Sequence, residues 1–357
     1  MIFLVIWTVL ALVAIDVLIN VVFLYPNDPK FTDPSRMQLY FEYGRSAEGQ
    51  LSRMTRKSRS ETAPITLVGW YEPLEVVEEP SKSNASVVSF YGASHTVRLA
   101  NALGRASDRF SFRMVGAPGA TSNWSYGAYL RDRGGRKSRA VVLAFNSNNF
   151  AMISSFSPTI WSVDYPMPYT ADRFYLESSR LRVLHPPYTS FDQYVHTFYD
   201  PVAWSAALDF FSKNDPFYNS FIVRANVLDH SALWRLFRRA HDQKLLRDLQ
   251  KSVLDQSGFR PESEDVKLAH RMIHEFAIQA RSDAMIPVIF IVNNLGYSDN
   301  LFRALRPILE ADNVPYLSSH TIVSPNDPTG YLPDSHFTDE NDDKLARALV
   351  EILDRAK

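Results

Sequence analysis

Five short apolar runs, separated by segments with helical periodicity, constrain this chain more than any other feature of its sequence. Turn residues bound each run, which is typical of buried strands. The runs occupy residues 86–90, 110–115, 140–145, 286–292 and 314–317. Helices are predicted at residues 95–106, 264–281, 298–311 and 339–356. This alternation predicts an α/β fold with a central parallel sheet of about five strands, helices on both faces, and functional groups at the carboxyl ends of the strands.

The N-terminal segment is long and apolar enough to cross a membrane. Residues 2–24 contain one charged side chain, Asp16, and a helix of this length spans a hydrocarbon core of about 30 Å. No basic region precedes the run, and no clear small-x-small cleavage site follows it. Residues 1–25 are therefore predicted to be a retained transmembrane anchor in the lipid bilayer rather than a signal peptide. Asp16 either contacts a membrane protein partner or is a protonated carboxyl in a single helix.

The remaining residues have the composition of a globular protein. The chain of 357 residues is 46% hydrophobic, so about 330 residues after the anchor are enough to bury a sizeable core. Its net charge of -1 gives no global attraction to nucleic acid, and neither a zinc finger nor a phosphate-binding loop is present in the sequence. Nucleic acid is therefore not an expected partner.

Two short segments about 240 residues apart supply the side chains of a hydrolytic triad. Residues 91–96 follow one predicted strand and open a predicted helix, which exposes the Ser94 hydroxyl beside unpaired N–H groups. Asp334 and His336 precede the last predicted helix. They can bond each other and leave one ring nitrogen free to take a serine proton. The sequence thus predicts Ser94 as nucleophile, His336 as base and Asp334 as orienting carboxylate, with a helix-capping serine as the alternative.

These segments resemble the first and last blocks of the SGNH (GDSL-type) hydrolases, and two further blocks occur in the family's order. The family's second block is a strand followed by a Gly-rich turn, to which residues 110–122 are similar. Its third block is a strand ending in Gly-x-Asn-Asp, to which residues 140–149 are similar. The resemblance implies the family's three-layer fold. It also implies an oxyanion hole formed by the Ser94 N–H, the Gly119 N–H and the Asn148 side chain.

Four positions depart from the family pattern. Ala93 replaces the aspartate of Gly-Asp-Ser, Asn146 and Asn149 replace the glycine and aspartate of the third block, and Asn341 replaces the glycine after the histidine. None of them is a triad member or an oxyanion donor. The resemblance therefore implies a divergent member that retains serine chemistry, and the alternative is a scaffold that binds rather than cleaves.

The resemblance implies a serine esterase or O-acyltransferase that needs no metal or cofactor. The predicted anchor favours acyl esters, above all acetyl esters, of a cell-envelope or exported polysaccharide, and small acyl esters are further candidate substrates. Similar arrangements occur in the alginate-acetylation proteins and in the D-alanyl-transfer proteins of teichoic acid synthesis. Two alternatives stay open: an inactive SGNH-like binding or scaffold subunit of a membrane polysaccharide complex, and a lipid or thioester hydrolase.

The sequence gives opposing indications of orientation. Lys30, Arg36 and Arg45 follow the apolar run, which by the positive-inside rule places the bulk of the chain in the cytoplasm. Membrane-anchored members of the resembled superfamily that edit surface polymers work outside the cytoplasmic membrane. The absence of cysteine fits either compartment. We favour an extracytoplasmic catalytic domain.

The predicted domain organisation has three parts. Residues 1–25 are the anchor, residues 26–84 a juxtamembrane arm that includes a linker at 46–64, and residues 85–357 the hydrolase domain. The last contains a cap insertion at about 150–261 that is rich in aromatic residues. These aromatic side chains either build the cap's own core or contact sugar rings and acyl chains.

Two further patterns have both a functional and a plain structural interpretation. Residues 233–253 predict a basic amphipathic helix, which lies on an anionic membrane or polymer, or is an ordinary solvated helix. His270 and His274 share one helix face, as metal ligands do, but no third ligand is evident in the sequence. We expect no metal there.

Overall fold

The computed structural model describes residues 1–26, 34–55, 68–79, 82, 84–134, 137–164 and 167–356. Lys30 and residues 56–64 of the predicted linker lie outside these ranges. The α-helices of the described residues are α1 Ile2–Val22, α2 Arg36–Glu42, α3 Ala47–Thr55, α4 Ser94–Ala106, α5 Ser122–Asp132, α6 Pro158–Trp161, α7 Phe191–Tyr199, α8 Pro201–Asn214, α9 Ser220–Val223, α10 Ala232–Val253, α11 Glu264–Ser282, α12 Asn300–Ala311 and α13 Asp339–Arg355. The four predicted core helices correspond to α4, α11, α12 and α13, with ends that agree within two residues.

The β-strands include all five that the sequence predicts. They are β1 Val76–Glu78, β2 Ser86–Gly92, β3 Phe110–Gly116, β4 Ala140–Asn146, β5 Arg173–Glu177, β6 Arg180–Leu184, β7 Leu254–Asp255, β8 Gly258–Phe259, β9 Ile286–Val292 and β10 Tyr316–Ser318. The strands β5 and β6 form one antiparallel pair, and β7 and β8 form another.

A mostly parallel sheet of six strands forms the centre of the fold in the described part of the chain. The strand order is β1-β3-β2-β4-β9-β10, and all neighbours except β1 and β3 are parallel. The predicted α/β class and its parallel sheet of about five strands are therefore confirmed. The additional strand β1 was not predicted, because it has only three residues, all exposed, and lacks a buried apolar pattern.

Helices pack on both faces of this sheet because successive strand residues point to opposite sides. On one face, Val88 and Phe90 join a buried cluster with side chains of α4 and α13, such as Leu99 and Leu349. On the other face, the ring of Tyr91 contacts that of Tyr129 in α5 with centroids 5.5 Å apart. Both faces of β2 are thus covered, which explains why its large apolar residues occur at adjacent positions rather than at alternate ones.

The chain divides into two compact units. One comprises Met1–Leu67, Phe156–Tyr169 and Asp192–Leu249, and the other comprises Val68–Ser155, Thr170–Phe191 and Gln250–Lys357. The second unit contains the central sheet. The predicted cap at 150–261 is divided between the two units, because three of its parts cluster with the sheet and two with the N-terminal segments.

Aromatic residues of the predicted cap build the core of the first unit. Phe156, Tyr194 and Phe211 are buried there, and the rings of Phe156 and Phe211 lie 5.7 Å apart. At these positions the structure agrees with the structural interpretation rather than with direct contact to a ligand.

The segment predicted as a linker is partly helical. Residues 47–55 form α3, in which Ala47 and Leu51 are buried. The Gln50 side chain donates a hydrogen bond to the Val163 carbonyl at 2.7 Å. The linker pattern of small and basic residues is misleading here because a few apolar side chains suffice to dock a short helix onto its neighbours.

The prediction of a solvent-facing basic surface on residues 233–253 is wrong for two arginines. Arg235 and Arg238 of α10 are buried, while Phe237 is 56% exposed. Arg238 pairs with the buried Asp229 carboxylate, and Arg235 donates to the Phe41 carbonyl at 2.6 Å. Periodicity alone assigned these arginines to solvent, but buried charges are tolerated where partners satisfy them.

We expect Leu349→Ala to destabilise the sheet-containing unit by about 2–5 kcal/mol, because it leaves a cavity between α13 and the sheet. The exposed neighbour Arg347 on the same helix provides the control, and Arg347→Ala should change stability by less than about 0.5 kcal/mol. Chemical denaturation of the full chain in detergent, followed by circular dichroism, measures both. Equal losses in the two variants would contradict this packing of α13.

Candidate functional site

The carboxyl end of β2 is the point where the sheet order reverses. The chain passes from β2 through α4 to β3 on one side, and β4 then pairs with the other side of β2. In open α/β sheets a crevice forms at such a point, beyond the carboxyl ends of the strands. Ser94 is the first residue of α4 and follows β2 by two positions, so the topology places it at this crevice.

The turn between β2 and α4 requires glycine at position 92. A Cβ atom at that residue would lie 2.1 Å from Thr96 Oγ1 and 2.9 Å from the Ala144 side chain. The absence of a side chain lets the first turn of α4 pack directly against the ends of β2 and β4. Ser94 is thereby held on a tightly packed turn, while its own side chain remains half-buried.

Ser94, His336 and Asp334 form one chain of hydrogen bonds. His336 Nε2 lies 2.7 Å from Ser94 Oγ, and His336 Nδ1 lies 2.9 Å from Asp334 Oδ2. The structure therefore brings together the three side chains that the sequence singled out. A proton on Nδ1 donated to Asp334 leaves Nε2 as an acceptor for the serine hydroxyl.

The triad residues differ in exposure. The His336 side chain is 22% exposed, whereas that of Asp334 is 65% exposed. The hydrogen bonds that Asp334 accepts from the His336 side chain and backbone lower the pKa of its carboxyl. Asp334 is therefore ionised across the neutral range, as an orienting carboxylate must be.

A tight loop presents His336 to Ser94. The Leu332 N–H donates to the His336 carbonyl at 2.7 Å, and the Ser335 N–H donates to the Leu332 carbonyl at 2.9 Å. Ser335 has φ of 68°, a left-handed conformation that suits a short polar residue in a sharp turn. The next residue, Phe337, is fully buried and fixes the loop to the core.

Arg98 ties the serine-bearing helix to the histidine-bearing loop. Its guanidinium donates to Asp342 Oδ2 at 2.7 Å, to Asp339 Oδ1 at 2.6 Å and to the Phe337 carbonyl at 3.0 Å. Burial raises the pKa of Asp342 to about 6, against the opposing effect of Arg98. These bonds position α4 and the start of α13, and so determine how Ser94 faces His336.

His95 is a residue of this site that the sequence argument missed. Its ring lies 4.8 Å from the His336 ring, and its Nε2 lies 3.3 Å from the Ser335 carbonyl oxygen. Burial, with a smaller contribution from the neighbouring His336, lowers the pKa of His95 to about 4. His95 is thus a neutral ring that supports the loop. An imidazole directly after the nucleophile was the sequence signal.

Gly119 and Asn148 lie in the loops after β3 and β4, the two strands that flank β2. Both residues are exposed, and Gly119 has φ of 60°, which favours glycine. The side chain of Asn149 joins these loops by donating to the Ala120 carbonyl at 3.1 Å. In the part of the chain that the structure describes, the hydrogen bonds of the triad do not extend to Gly119 or Asn148.

Asn294 fixes the loop after β4 and was not predicted. Its Oδ1 accepts from Ser147 Oγ at 3.0 Å and from the Asn148 N–H at 3.1 Å. In return its N–H donates to Ser147 Oγ at 2.9 Å. The backbone N–H of Asn148 is therefore engaged within the protein.

The two histidines considered as metal ligands have protein partners. His270 Nε2 donates to the Ala304 carbonyl at 2.7 Å, and His274 Nδ1 lies 2.8 Å from Asp312 Oδ2. Among the residues that the structure describes, no group of three or more His, Cys, Asp or Glu side chains is placed to hold a metal ion.

The first unit contains a cavity of about 650 Å³. Phe198, Tyr199 and Trp204 line it together with Glu48. The Trp204 indole N–H donates to Glu48 Oε1 at 2.7 Å. None of the triad residues lines this cavity, so it is a candidate binding feature separate from the serine chemistry.

Comparisons with known proteins add little to this geometry. No family model matches the chain, and no curated protein matches it. Among solved structures, a Bacteroides fragilis protein provisionally described as an acylhydrolase is 12% identical, with a TM-score of 0.35, and the match covers 80% of this chain and 92% of that one. At this TM-score the likeness carries no weight for fold or activity, and the chemistry of the site follows from its own residues.

We expect the free energy of unfolding to fall as the pH drops from about 6.5 to about 4, because folded His95 resists the proton that the unfolded chain takes up. Above this window the histidine is neutral in both states and contributes no slope. His95→Phe, which keeps a ring at this site, should make the decline shallower in denaturation curves recorded across this range.

His95→Asn, which also removes the titrating ring, provides a second variant and should make the decline shallower to a similar extent. A His95→Phe slope equal to that of the unmodified chain would show that His95 is not held neutral.

Proposed function

We propose that the chain is a membrane-anchored serine esterase or O-acyltransferase of the SGNH type. The observation that carries the proposal is the chain of hydrogen bonds from Ser94 through His336 to Asp334. A nucleophile within reach of a base, and a base oriented by a carboxylate, is the arrangement that acyl transfer through a covalent intermediate requires.

The reaction follows from these three groups. His336 Nε2 takes the Ser94 proton as Oγ attacks the carbonyl carbon of an ester, and Asp334 stabilises the imidazolium that forms. The tetrahedral intermediate collapses, the bond to the leaving oxygen breaks, and His336 returns the proton to that oxygen. The oxygen of a second hydroxyl, which His336 deprotonates, then attacks the carbonyl carbon of the acyl-Ser94 ester. The bond from that carbon to Ser94 Oγ breaks, and His336 returns the proton to Oγ. Water as this acceptor gives hydrolysis, and a sugar hydroxyl gives transfer.

Three donors are proposed to hold the oxyanion. The Ser94 N–H lies in the first turn of α4, where helix N–H groups are unpaired and the helix dipole favours negative charge. Gly119 and Asn148 follow the strands on either side of β2. A backbone N–H at glycine and a neutral side-chain amide both donate without adding charge to the site.

The proposed substrate is an acyl ester, above all an acetyl ester, of a cell-envelope or exported polysaccharide. The support is α1, which is long and apolar enough to cross a membrane and would keep the enzyme beside such polymers. We propose an extracytoplasmic position for the catalytic unit on the same ground. A lipid or thioester substrate is compatible with the same triad.

A non-catalytic subunit is the second candidate function. The observation that favours it is the pair Asn146 and Asn149, which replaces the glycine and aspartate of the family's third block. In this protein the Asn149 side chain holds the loop that carries Gly119, which is a structural role. A membrane polysaccharide complex could use such a scaffold for binding alone.

We expect the full chain in detergent to hydrolyse p-nitrophenyl acetate and Ser94→Ala to reduce this to the buffer background, because no nucleophile remains. On the natural ester the loss should be on the order of 10⁶. An acyl adduct on Ser94, detected by mass spectrometry of quenched reactions, gives an independent measurement.

Ser107 ends the same helix outside the triad, so Ser107→Ala should retain the activity. Indistinguishable background rates and no adduct in all three proteins, with acetylated polysaccharides included as substrates, would favour the scaffold.

We expect Asn148→Ala to lower kcat by about 10²–10³ with little change in KM, because an oxyanion donor acts mainly in the transition state. The exposed Asn326 offers a matched control, and Asn326→Ala should leave kcat unchanged. Steady-state kinetics on one ester would separate the two constants. An unchanged kcat in Asn148→Ala would remove this residue from the oxyanion hole.

A further inference from the structure

The exposure of the apolar helix α1 changes at Asp16. Residues 2–15 are exposed on every side, whereas Asp16, Ile19, Asn20 and Phe23 are partly buried. These four positions repeat at the spacing of one helix face. The last two turns of α1 are therefore covered on one side by the rest of the first unit.

Polar contacts define what covers this face. Asp16 Oδ1 accepts from the Leu233 N–H at 2.8 Å and from Ser231 Oγ at 3.0 Å. Asn20 Oδ1 accepts from Arg235 Nη2 at 2.9 Å. Asp16 thus bonds its own chain at the start of α10. A carboxylate at this position satisfies the unpaired N–H groups of the first helical turn.

The order of these contacts sets the direction of α10 relative to α1. Asp16 contacts residues 231 and 233, and Asn20, one turn later in α1, contacts Arg235. Further along, Arg239 lies over the ring of Tyr40, which follows α1 in the chain. At this contact α1 and α10 therefore run in the same general direction, and the start of α10 lies beside Asp16.

The length of α1 gives the depth of the start of α10 in a membrane that α1 spans. Its 21 residues extend about 31 Å, close to the hydrocarbon thickness of about 30 Å, and Asp16 lies about 9 Å before its last residue. If α1 spans the bilayer, the start of α10 lies beside it about 9 Å below the boundary between hydrocarbon and headgroups, a depth that interfacial elements reach. The preceding turn, Val227–His230, lies at this depth or deeper.

The side chains of that turn suit such a position. Val227 is 81% exposed and Leu228 is 44% exposed, and Phe237 on the next turns of α10 is 56% exposed. Beside them, the charged Arg235 is buried and its guanidinium is bonded to Phe41, Asp229 and Asn20. Two apolar side chains thus face outward together with the exposed His230 ring, and the neighbouring Arg235 charge is satisfied internally.

We propose that the turn Val227–His230 and the start of α10 enter the interfacial layer of the membrane that α1 crosses. Val227 and Leu228 form a shallow second contact with lipid, beside the face of α1 where Asp16 and Asn20 bond the start of α10. The partner is a lipid surface, which is the apolar phase that α1 itself requires. This inference does not depend on the triad being active.

The absence of cysteine from the chain allows a direct test with single nitroxide labels. The full chain carrying Val227→Cys, Val17→Cys or Leu245→Cys is labelled and reconstituted in vesicles of phosphatidylcholine and phosphatidylglycerol. Val17 follows Asp16 and reports the depth of α1. Leu245 is an exposed residue of α10 further along the helix and is the matched control. Electron paramagnetic resonance measures collisions with oxygen and with a water-soluble nickel complex.

We expect labels at 227 and 17 to collide several-fold less with the nickel complex than the label at 245, and to give similar depths. Equal nickel accessibility at 227 and 245 overturns the proposal. So does isolation of a mature chain that lacks residues 1–26, as measured by intact mass. Circular dichroism of the three labelled proteins excludes misfolding as the cause of any difference.

Discussion

The reversal of strand order at β2 is the constraint on which the rest of the site depends. Because β3 and β4 pair with opposite edges of β2, three loops converge beyond one end of the sheet. The middle loop is short and carries Ser94. Ser94, Gly119 and Asn148 are distant in the chain, but each follows a strand that ends at the same edge of the sheet, because neighbouring parallel strands end together.

Internal charge networks give this arrangement its geometry. Arg98 bonds to both carboxylates at the start of α13, and the same guanidinium reaches the backbone beside His336. In the other unit, the buried Asp229 carboxylate pairs with Arg238 and accepts a hydrogen bond from the Ser46 hydroxyl. Both networks join elements distant in sequence. Removal of one member would leave a partly desolvated charge, so these bonds specify position more than they add stability.

Local patterns were sufficient to predict the parallel strands and the core helices, and they singled out Ser94, Asp334 and His336, which the structure brings within hydrogen-bond distance. Each of these depends on periodicity or on a motif within a few residues. The same patterns gave no account of His95, whose pairing with Ser335 spans 240 positions, or of Asn294, which holds a loop on another strand. They also assigned Arg235 and Arg238 to solvent, because helical spacing does not reveal a buried partner.

Because Asp334 is exposed, its attraction for the His336 imidazolium would depend on the size of the bound substrate. With about two thirds of its side chain in water, the carboxylate is screened, and its attraction for the imidazolium is weaker than at a buried site. A large substrate that covers the loop would displace this water and strengthen that attraction. A small ester would leave Asp334 in contact with water. The selectivity of this arrangement would then arise from solvent exclusion, in addition to recognition of the acyl group.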